Sequence, residues 1–203
     1  MSDIRPTVYL IDDDERVLIA LKRLLASEGY AVACYASGEA FLRSHDPATP
    51  GCAAVDLSLP GIDGFGIQEM LSSERIDRPV IFLTGRGDIP ASVRAMKAGA
   101  IDFLPKPPDA SALIAAVAQA LERDRQGRQE RDHRNRTDER LSRLTPRERE
   151  VLSRVVAGRL NKQIAAELGI AEKTIKVHRG RVMRKMGVRT LADLVRLVTG
   201  HKS

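Results

Sequence analysis

Carboxylates, a hydroxyl and a lysine close the apolar runs in the first half of the chain. Asp12 and Asp13 follow one run, Asp56 follows another, and Thr84 and Lys106 follow two more. Ligands bind at the carboxyl ends of strands in an open parallel sheet, so these side chains are predicted to share one edge. Three carboxylates brought together repel one another unless a cation separates them. Mg²⁺ with phosphate oxygens suits such a set, and a lysine beside a hydroxyl would hold a phosphoryl group.

The stretch around Asp56, taken alone, leaves two interpretations open. The apolar run 53–55 stops at this carboxylate, and Pro60, Gly61 and the pair Asp63-Gly64 are turn formers. Asp56 could therefore cap the helix that follows, or it could carry chemistry at a strand tip. The surrounding elements have to decide between the two.

Strand-like and helix-like patterns alternate five times along residues 1–121. Each short β-prone run is followed by apolar residues at helical spacing, with glycines or capping residues at the ends. This alternation predicts a five-stranded, doubly wound parallel sheet of the α/β class. The predicted strands are residues 7–11, 31–35, 52–55, 79–83 and 102–104.

Charge divides the chain into parts with different partners. Residues 1–121 carry a net charge of −5, residues 122–143 carry +2 and residues 144–203 carry +9. An acidic front and a strongly basic end indicate two units, the second of which binds a polyanion. A chain of 203 residues is long enough for two small domains.

Composition excludes several classes of protein. No apolar segment has the length of a membrane span, and the first residues do not begin a signal peptide, so a cytoplasmic protein without a membrane partner is expected. Cys34 and Cys52 both lie in apolar, strand-like runs. They are expected to be reduced and buried rather than to form a disulfide or a metal site.

The basic C-terminal residues predict a compact all-α unit of four helices. Thr145 to Glu148 form a capping box with proline at the first helical position, and Asn161 is predicted to cap the second helix. The second and third helices have the spacing of a helix-turn-helix. The fourth helix carries an apolar stripe that consists of Leu191, Leu194, Val195 and Val198.

One face of the third helix, residues 172–186, suits the major groove of DNA. At about 100° per residue, Ile175, Val182 and Met186 share the side that faces the core. The opposite side is basic with small groups at its middle, so cations can meet phosphates and the helix can approach the bases closely. A solvated surface helix explains the same cations, and the helix alone leaves this alternative open. The basic side consists of Lys173, Lys176, Val177, Gly180, Arg181 and Arg184.

Residues 122–143 are predicted to be a solvated linker. Charges of both signs alternate between Glu122 and Arg140, and no apolar side chain interrupts them. The preceding helix can continue outward with the support of pairs such as Glu130–Arg134. Because no apolar residues repeat along it, the segment cannot bury a face, and no coiled coil is expected.

Residues 1–121 resemble the receiver domain of bacterial two-component response regulators. The resemblance rests on five motifs in order, which are Asp12-Asp13, the Asp56…Pro60-Gly61…Asp63-Gly64 block, Thr84-Gly85, Ala98-Gly99-Ala100 and Lys106-Pro107. It implies a flavodoxin-like fold, a sensor histidine kinase as partner and Mg²⁺ as cofactor. Pro108 departs from the family, whose members commonly carry a phenylalanine there, and the Lys106-Pro107 bond is often cis in relatives.

The receiver resemblance also implies a role for individual residues. Asp56 is the implied phosphoacceptor, and Lys106 pairs with the phosphoryl oxygens. The implied switch residues are Thr84, which moves to bond the phosphoryl group, and Phe103, which changes rotamer. The implied Mg²⁺ ligands are Asp13, Asp56, the backbone carbonyl of Ser58 and, mostly through water, Asp12.

Residues 144–203 resemble the DNA-binding domain of the LuxR/FixJ class of transcription regulators. The matching segments are residues 144–152, 161–165 and 174–179. The resemblance implies a dimer contact through the fourth helix and packing of His178 between helices. Gly180 stands where relatives carry a lysine. The implied DNA contacts are Lys176 and Val177 to base edges, and Lys162, Lys173, Thr174 and Arg184 to phosphates.

Together the two resemblances imply a phosphorylation-controlled transcription factor. Phosphorylation would favour a homodimer on two DNA half-sites, and RNA polymerase is a further partner that this role admits. A small phosphohydrolase is the competing enzyme class, but such enzymes need a second acid two residues after the nucleophile, where this chain has Ser58. An RNA-binding antiterminator is a third possibility, against which the helix-turn-helix argues.

Overall fold

The computed structural model describes residues 5–85 and 89–200 and divides the chain into two compact units. The boundary between the units falls after Arg128. In the part of the chain that the structure describes, no helix is both long and apolar enough to cross a membrane.

The first unit contains the predicted five-stranded parallel sheet, with the order β2-β1-β3-β4-β5. Each β-strand is followed by a helix, as the alternating pattern predicts, so the doubly wound fold is confirmed. The strands are β1 (Thr7–Ile11), β2 (Ala31–Tyr35), β3 (Gly51–Asp56), β4 (Val80–Thr84) and β5 (Asp102–Pro105). The helices are α1 (Glu15–Ser27), α2 (Gly38–Ser44), α3 (Gly64–Ser73), α4 (Ile89–Lys97) and the first part of α5 (Ala110–Ser142), which continues past Arg128 into the second unit.

Both faces of the sheet are covered by apolar layers. On one face, residues of α1 and α5 such as Leu21 and Leu113 pack against β-strand residues. On the other, Phe41 of α2, Ile67 of α3 and Ala95 of α4 do the same. Burial on both sides explains why the strands read as short continuous apolar runs rather than as alternating patterns.

Both cysteines are free, as predicted, and Cys52 has no exposed surface, whereas the expectation that Cys34 is buried is wrong because it lies in a strand of intermediate exposure. Burial raises the pKa of the Cys52 thiol to about 12. Burial also raises the pKa of Cys34, which is only half-buried. We therefore expect native protein to leave Cys52 unmodified by iodoacetamide at neutral pH, because the thiolate is the reactive species. Mass spectrometry of the alkylated peptides measures this, with slow labelling of Cys34 and full labelling in urea as the internal comparisons.

The polar segment after residue 121 continues α5 as a helix, and the prediction of a solvated linker is wrong at two positions, which are buried. Asp124 is 3% exposed and Thr137 is 1% exposed. The Asp124 carboxylate accepts a hydrogen bond of 3.0 Å from the backbone N–H of Gly51 and a second from Arg128. Burial here is satisfied by hydrogen bonds rather than by apolar contact, and apolar periodicity does not report such burial.

Arg128 fastens the same part of α5 to the loop between α2 and β3. Its guanidinium donates to the backbone carbonyls of Pro47, Ala48 and Thr49 at 2.8–3.0 Å. Its Nε also lies 2.8 Å from Asp124. Residues 124–128 are thus part of the first compact unit, although their composition is that of a solvated linker.

The second unit is the predicted all-α bundle. Its helices are α6 (Pro146–Val156), α7 (Asn161–Leu168), α8 (Glu172–Met186) and α9 (Leu191–Gly200). The capping box of Thr145 and Glu148 is present. Asn161, however, is the first residue of α7 rather than its cap, and its side-chain oxygen accepts a hydrogen bond from Arg179 at 3.0 Å.

The apolar stripe of α9 is largely used inside its own unit. Leu194 and Val198 are buried in the helical core, and only Leu191 is substantially exposed. A small bundle needs these side chains to close its core. Leu194 and Val198 therefore serve the core of their own unit, and the dimer contact through this helix stays a prediction.

Candidate functional site

A cluster of carboxylates lies at the carboxyl edge of the sheet, where the sequence predicts it. Asp12 follows β1 and Asp56 ends β3, and both side chains are buried. Asp13 is exposed beside them, and a carboxylate oxygen of each of the three lies within 4.8 Å of the others. Neighbouring parallel strands β1 and β3 bring together residues that are 43 or 44 positions apart in the chain.

Lys106 bridges two of these carboxylates. Its Nζ lies 2.5 Å from Asp12 Oδ2 and 2.9 Å from Asp56 Oδ2. The backbone N–H of Lys106 donates to the carbonyl of Thr84 at 2.7 Å, which ties the loop after β5 to the tip of β4. The peptide bond between Lys106 and Pro107 is cis.

Local hydrogen bonds orient the two buried carboxylates. Asp12 Oδ1 accepts from the backbone N–H of Asp14 at 3.0 Å, and Asp56 Oδ1 accepts from that of Ser58 at 3.2 Å. Asp14 itself caps α1 by accepting a hydrogen bond from the backbone N–H of Arg16. Backbone N–H groups thus hold the carboxylates of Asp12 and Asp56 at the site, whereas the carboxylate of Asp14 is used by the helix.

Burial and charge act against each other in this cluster. Burial raises the pKa of Asp12, and its hydrogen bond with Lys106 offsets only part of that effect. Burial by itself lowers the pKa of Lys106, but the hydrogen bonds with Asp12 and Asp56 prevail and the pKa is raised above its ordinary value. Lys106 therefore stays cationic and holds the negative charges together.

The donor set fits a hard divalent cation. Three carboxylates converge from two strand ends, and among the described residues the possible metal-binding group here consists of carboxylates, with no thiolate or imidazole in it. Mg²⁺ prefers one or two carboxylates together with waters and phosphate oxygens. The exposure of Asp13 leaves this side of the cluster open to water and to a phosphoryl group.

Thr84 and Phe103, the two predicted switch residues, lie on the neighbouring strands. Thr84 is buried at the end of β4, and Phe103 is half-buried in β5. The ring of Phe103 lies 6.5 Å from that of Phe82, measured between centroids. The structure therefore brings Thr84 to the same edge as Lys106, whereas Phe103 pairs with Phe82, two residues back from the Thr84–Pro105 pair.

Sequence reasoning missed Glu39, a residue of α2 that contacts the loop after Asp56. Its Oε1 accepts a hydrogen bond of 2.9 Å from the backbone N–H of Ile62. The two residues are 23 positions apart, and no motif joins them. The glycine at position 61 was the one signal available in the sequence, since a glycine in a turn suggests that something lies close to the backbone, and its φ is +77° in the structure.

The predicted DNA-binding side of α8 is exposed. Ile175, Val182 and Met186 are buried in the helical core, as predicted from their spacing. On the other side Val177 is 48% exposed, although it is apolar. His178 is half-buried, with its Nδ1 shielded from solvent. The exposed residues predicted to contact DNA are Lys162, Lys173, Thr174, Lys176, Val177, Arg181 and Arg184.

Buried polar contacts hold α8 in place within its unit. The carboxylate of Glu148 is 2.6 Å from Lys185 Nζ on α8 and accepts from the backbone N–H of Thr145 at 2.9 Å. Arg140, near the end of α5, donates to the carbonyl of Met186 at the C-terminus of α8. The exposed basic face is thereby held on a fixed helix.

The Glu148 contacts predict a pH dependence of stability. The hydrogen bond with Lys185 lowers the pKa of Glu148 below its ordinary value of 4.5. A lowered pKa in the folded state adds stability above the unfolded pKa, and that stability is lost as pH falls through the folded pKa. We expect the free energy of unfolding of the second unit to fall on acidification below pH 4.5. Urea titrations of wild type and Glu148→Gln measure this, and an equal acid loss in both would contradict it.

Gly180 predicts a gain in stability on substitution. It is exposed in the middle of α8, and a Cβ built there meets nothing within 4 Å. Because glycine in a helix costs about 1 kcal/mol relative to alanine, we expect Gly180→Ala to raise the free energy of unfolding by about that amount. Thermal unfolding of the two proteins measures it, and a lower melting temperature in the variant would be the contrary result.

Comparisons with known proteins agree with both halves of the sequence analysis. Residues 8–118 match the family of response regulator receiver domains, and residues 142–198 match the luxR family of bacterial regulatory proteins. The chain is 43% identical over 196 residues to Nodulation protein W of Bradyrhizobium diazoefficiens, covering 97% of this chain and 86% of that protein. It is 45% identical over 191 residues to the transcriptional regulatory protein FixJ of Azorhizobium caulinodans, covering 94% and 90% respectively.

Two solved structures of similar length resemble the whole chain. The response regulator StyR matches with a TM-score of 0.88 and 45% identity, covering 97% of this chain and 99% of that one. Full-length FixJ from B. japonicum matches with a TM-score of 0.59 and 35% identity, covering 97% of each chain.

Proposed function

The chain belongs to the two-component response regulators that combine a receiver domain with a LuxR-type DNA-binding domain, and from that membership we propose that phosphorylation of Asp56 controls its binding to DNA. Receiver residues 1–121, a charged connecting segment 122–143 and DNA-binding residues 144–203 are the proposed domains. The observation that carries the proposal is the contact of Lys106 with both Asp12 and Asp56 at the sheet edge.

Asp56 is the proposed nucleophile. An oxygen of its carboxylate attacks the phosphorus of a phosphohistidine on a sensor histidine kinase, forming an O–P bond while the P–N bond to the imidazole breaks. The imidazole leaves as the neutral base after it takes a proton from water. The hydrogen bond from the N–H of Ser58 holds the carboxylate of Asp56 in place before the attack.

The charge that accumulates at this edge has two counter-charges. Lys106, already 2.9 Å from Asp56, pairs with the phosphoryl oxygens after transfer. Bound Mg²⁺ supplies charge neutralisation for the phosphoryl oxygens and the carboxylates. Its proposed protein ligands are Asp13, Asp56 and the backbone carbonyl of Ser58, with Asp12 acting through water.

Thr84 and Phe103 are proposed to change conformation in response to the added phosphoryl group. The Thr84 hydroxyl hydrogen-bonds a phosphoryl oxygen, and Phe103 changes rotamer in response. A local change in charge can thus bias a two-state surface of the receiver domain. Homodimerisation on two DNA half-sites is the proposed outcome.

The proposed partners are a sensor kinase, duplex promoter DNA and a second copy of the chain, with RNA polymerase as a further partner at the promoter.

Each Asp56 accepts one phosphoryl group, so the protein is a regulator rather than a turnover enzyme. A cytoplasmic location follows from this role in transcription. In the second unit, Lys176 and Val177 are proposed to meet base edges, and Lys162, Lys173, Thr174 and Arg184 are proposed to meet phosphates.

The test is a titration of DNA with and without a small phosphodonor and Mg²⁺. We expect phosphorylated protein to bind its DNA more tightly than the untreated protein, because dimerisation joins two half-sites. Equal affinities in the two states would contradict phosphorylation control. A preference for RNA over duplex DNA would contradict the assignment of the helical unit.

A further inference from the structure

Glu39 contacts the segment that carries the site, although it belongs to another element. The β3–α3 loop, residues 57–63, follows Asp56 directly. Glu39 lies in the first turn of α2, is half-buried, and accepts the hydrogen bond of Ile62 near the end of this loop. One oxygen of a side chain on α2 thus fixes the backbone of the loop.

The start of α2 and the β3–α3 loop lie very close together around this hydrogen bond. A Cβ placed on Gly61, whose φ is +77°, would collide with Glu39 Oε1. A Cβ on Gly38 would lie 2.7 Å from the carbonyl oxygen of Ile62. Two glycines therefore permit the N-terminus of α2 and the β3–α3 loop to meet at backbone distance.

The remaining contacts of the loop hold its two ends. The N–H of Leu57 donates to the carbonyl of Leu83 at 2.8 Å, and the N–H of Gly64 donates to the carbonyl of Leu57 at 3.2 Å. Leu59 is buried in the core between them. Among the side-chain hydrogen bonds of the described residues, the one from the N–H of Ile62 to Glu39 is the contact that holds residues 60–62 from outside the loop.

We propose that Glu39 is a positioning residue for the phosphorylation site, which holds the β3–α3 loop so that the Ser58 carbonyl and Asp56 face a bound Mg²⁺ together. This inference rests on the proposed function. Side chains that orient a metal's ligands without touching the metal affect its affinity strongly, and their loss weakens binding by about ten- to a hundredfold. Backbone hydrogen bonds lower the pKa of Glu39, so it is a carboxylate at neutral pH.

Three substitutions at Glu39 separate the hydrogen bond from the charge. Glu39→Ala removes both, Glu39→Asp keeps the charge but shortens the reach by one methylene, and Glu39→Gln keeps an acceptor oxygen without the charge. Calorimetric titration with Mg²⁺ alone and amide hydrogen exchange at Ile62 are the two readouts. Glu28→Ala, an exposed position at the end of α1, is the control for the loss of one negative charge.

We expect Glu39→Ala and Glu39→Asp to bind Mg²⁺ about tenfold more weakly and to exchange the Ile62 amide faster. Glu39→Gln and Glu28→Ala should stay within about twofold of wild type, because the acceptor or the whole contact remains. If Glu39→Ala fails to fold, the Asp and Gln variants still decide the outcome.

Two results would overturn the assignment while leaving phosphorylation of Asp56 intact. The first is wild-type Mg²⁺ affinity in Glu39→Asp, with or without faster exchange at Ile62. The second is a loss in Glu39→Gln as large as in Glu39→Asp, which would assign the effect to charge. Failure of the wild-type protein itself to bind Mg²⁺ would instead contradict the proposed function, and this inference with it.

Discussion

Asp56→Asn is expected to lower phosphoryl incorporation from a small phosphodonor by at least about a hundredfold, since loss of a nucleophile removes the covalent step itself. The amide keeps the size of the side chain and can still accept the hydrogen bond from the N–H of Ser58. What it lacks is the anionic oxygen that forms the bond to phosphorus. Intact-protein mass spectrometry after incubation with phosphodonor and Mg²⁺ measures the incorporation.

The same variant should lose the response of DNA binding to the phosphodonor. Its affinity for DNA should remain that of untreated wild type, because the basic face of α8 is unchanged. Asp132→Asn is the matched control, since Asp132 is exposed on α5 and far in the chain from the carboxylate cluster. Full incorporation in Asp56→Asn would place the phosphoacceptor elsewhere and contradict the proposed mechanism.

Asp124→Ala is expected to destabilise the first unit by about 3 kcal/mol, as breaking a buried ion pair leaves the partner charge uncompensated. The substitution removes the acceptor of the Gly51 N–H and the partner of Arg128 at once. For a unit of this size the loss corresponds to a fall in melting temperature of about 10 °C. Thermal unfolding followed by circular dichroism measures it, with the transition of the first unit assigned by comparison with wild type.

A double substitution tests whether Asp124 acts through Arg128. Combining Asp124→Ala with Arg128→Met should cost less than the sum of the single changes, because the two side chains share one contact. Asp132→Ala, on the same helix without a buried carboxylate, should change the melting temperature little. A melting temperature for Asp124→Ala equal to that of Asp132→Ala would show that the buried contact contributes no stability.

The meeting of Asp12, Asp56 and Lys106 at one edge of the sheet could be predicted because each of these side chains follows or ends an apolar run. Asp12, Asp56 and Thr84 directly follow or close their strands, and parallel strands align such ends at one edge. The same local logic predicted the buried side of α8 from Ile175, Val182 and Met186. Such helix faces and strand ends are encoded locally, by the spacing of apolar residues within a few turns of helix or by a short apolar run and the residue that ends it.

The contacts of polar side chains over long sequence separations could not be predicted in this way. Glu39 reaches Ile62, Asp124 reaches Gly51, and Arg128 reaches the loop before β3, and none of these residues belongs to a periodic apolar pattern. A charged side chain looks the same in a sequence whether it is solvated or buried with a partner. The partner is supplied only when distant parts of the chain meet.

By itself the sequence determined the doubly wound sheet, the helix-turn-helix and the residues whose chemistry defines the receiver site, because hydrophobic periodicity and strand-end residues are local properties. Tertiary structure alone decided which polar groups are buried and where along α5 the first compact unit ends. It also decided which residues of the α9 stripe are buried in the core of the second unit. The physical reason is that the cost of burying a polar group, or the gain from burying an apolar one, depends on what lies opposite it in space.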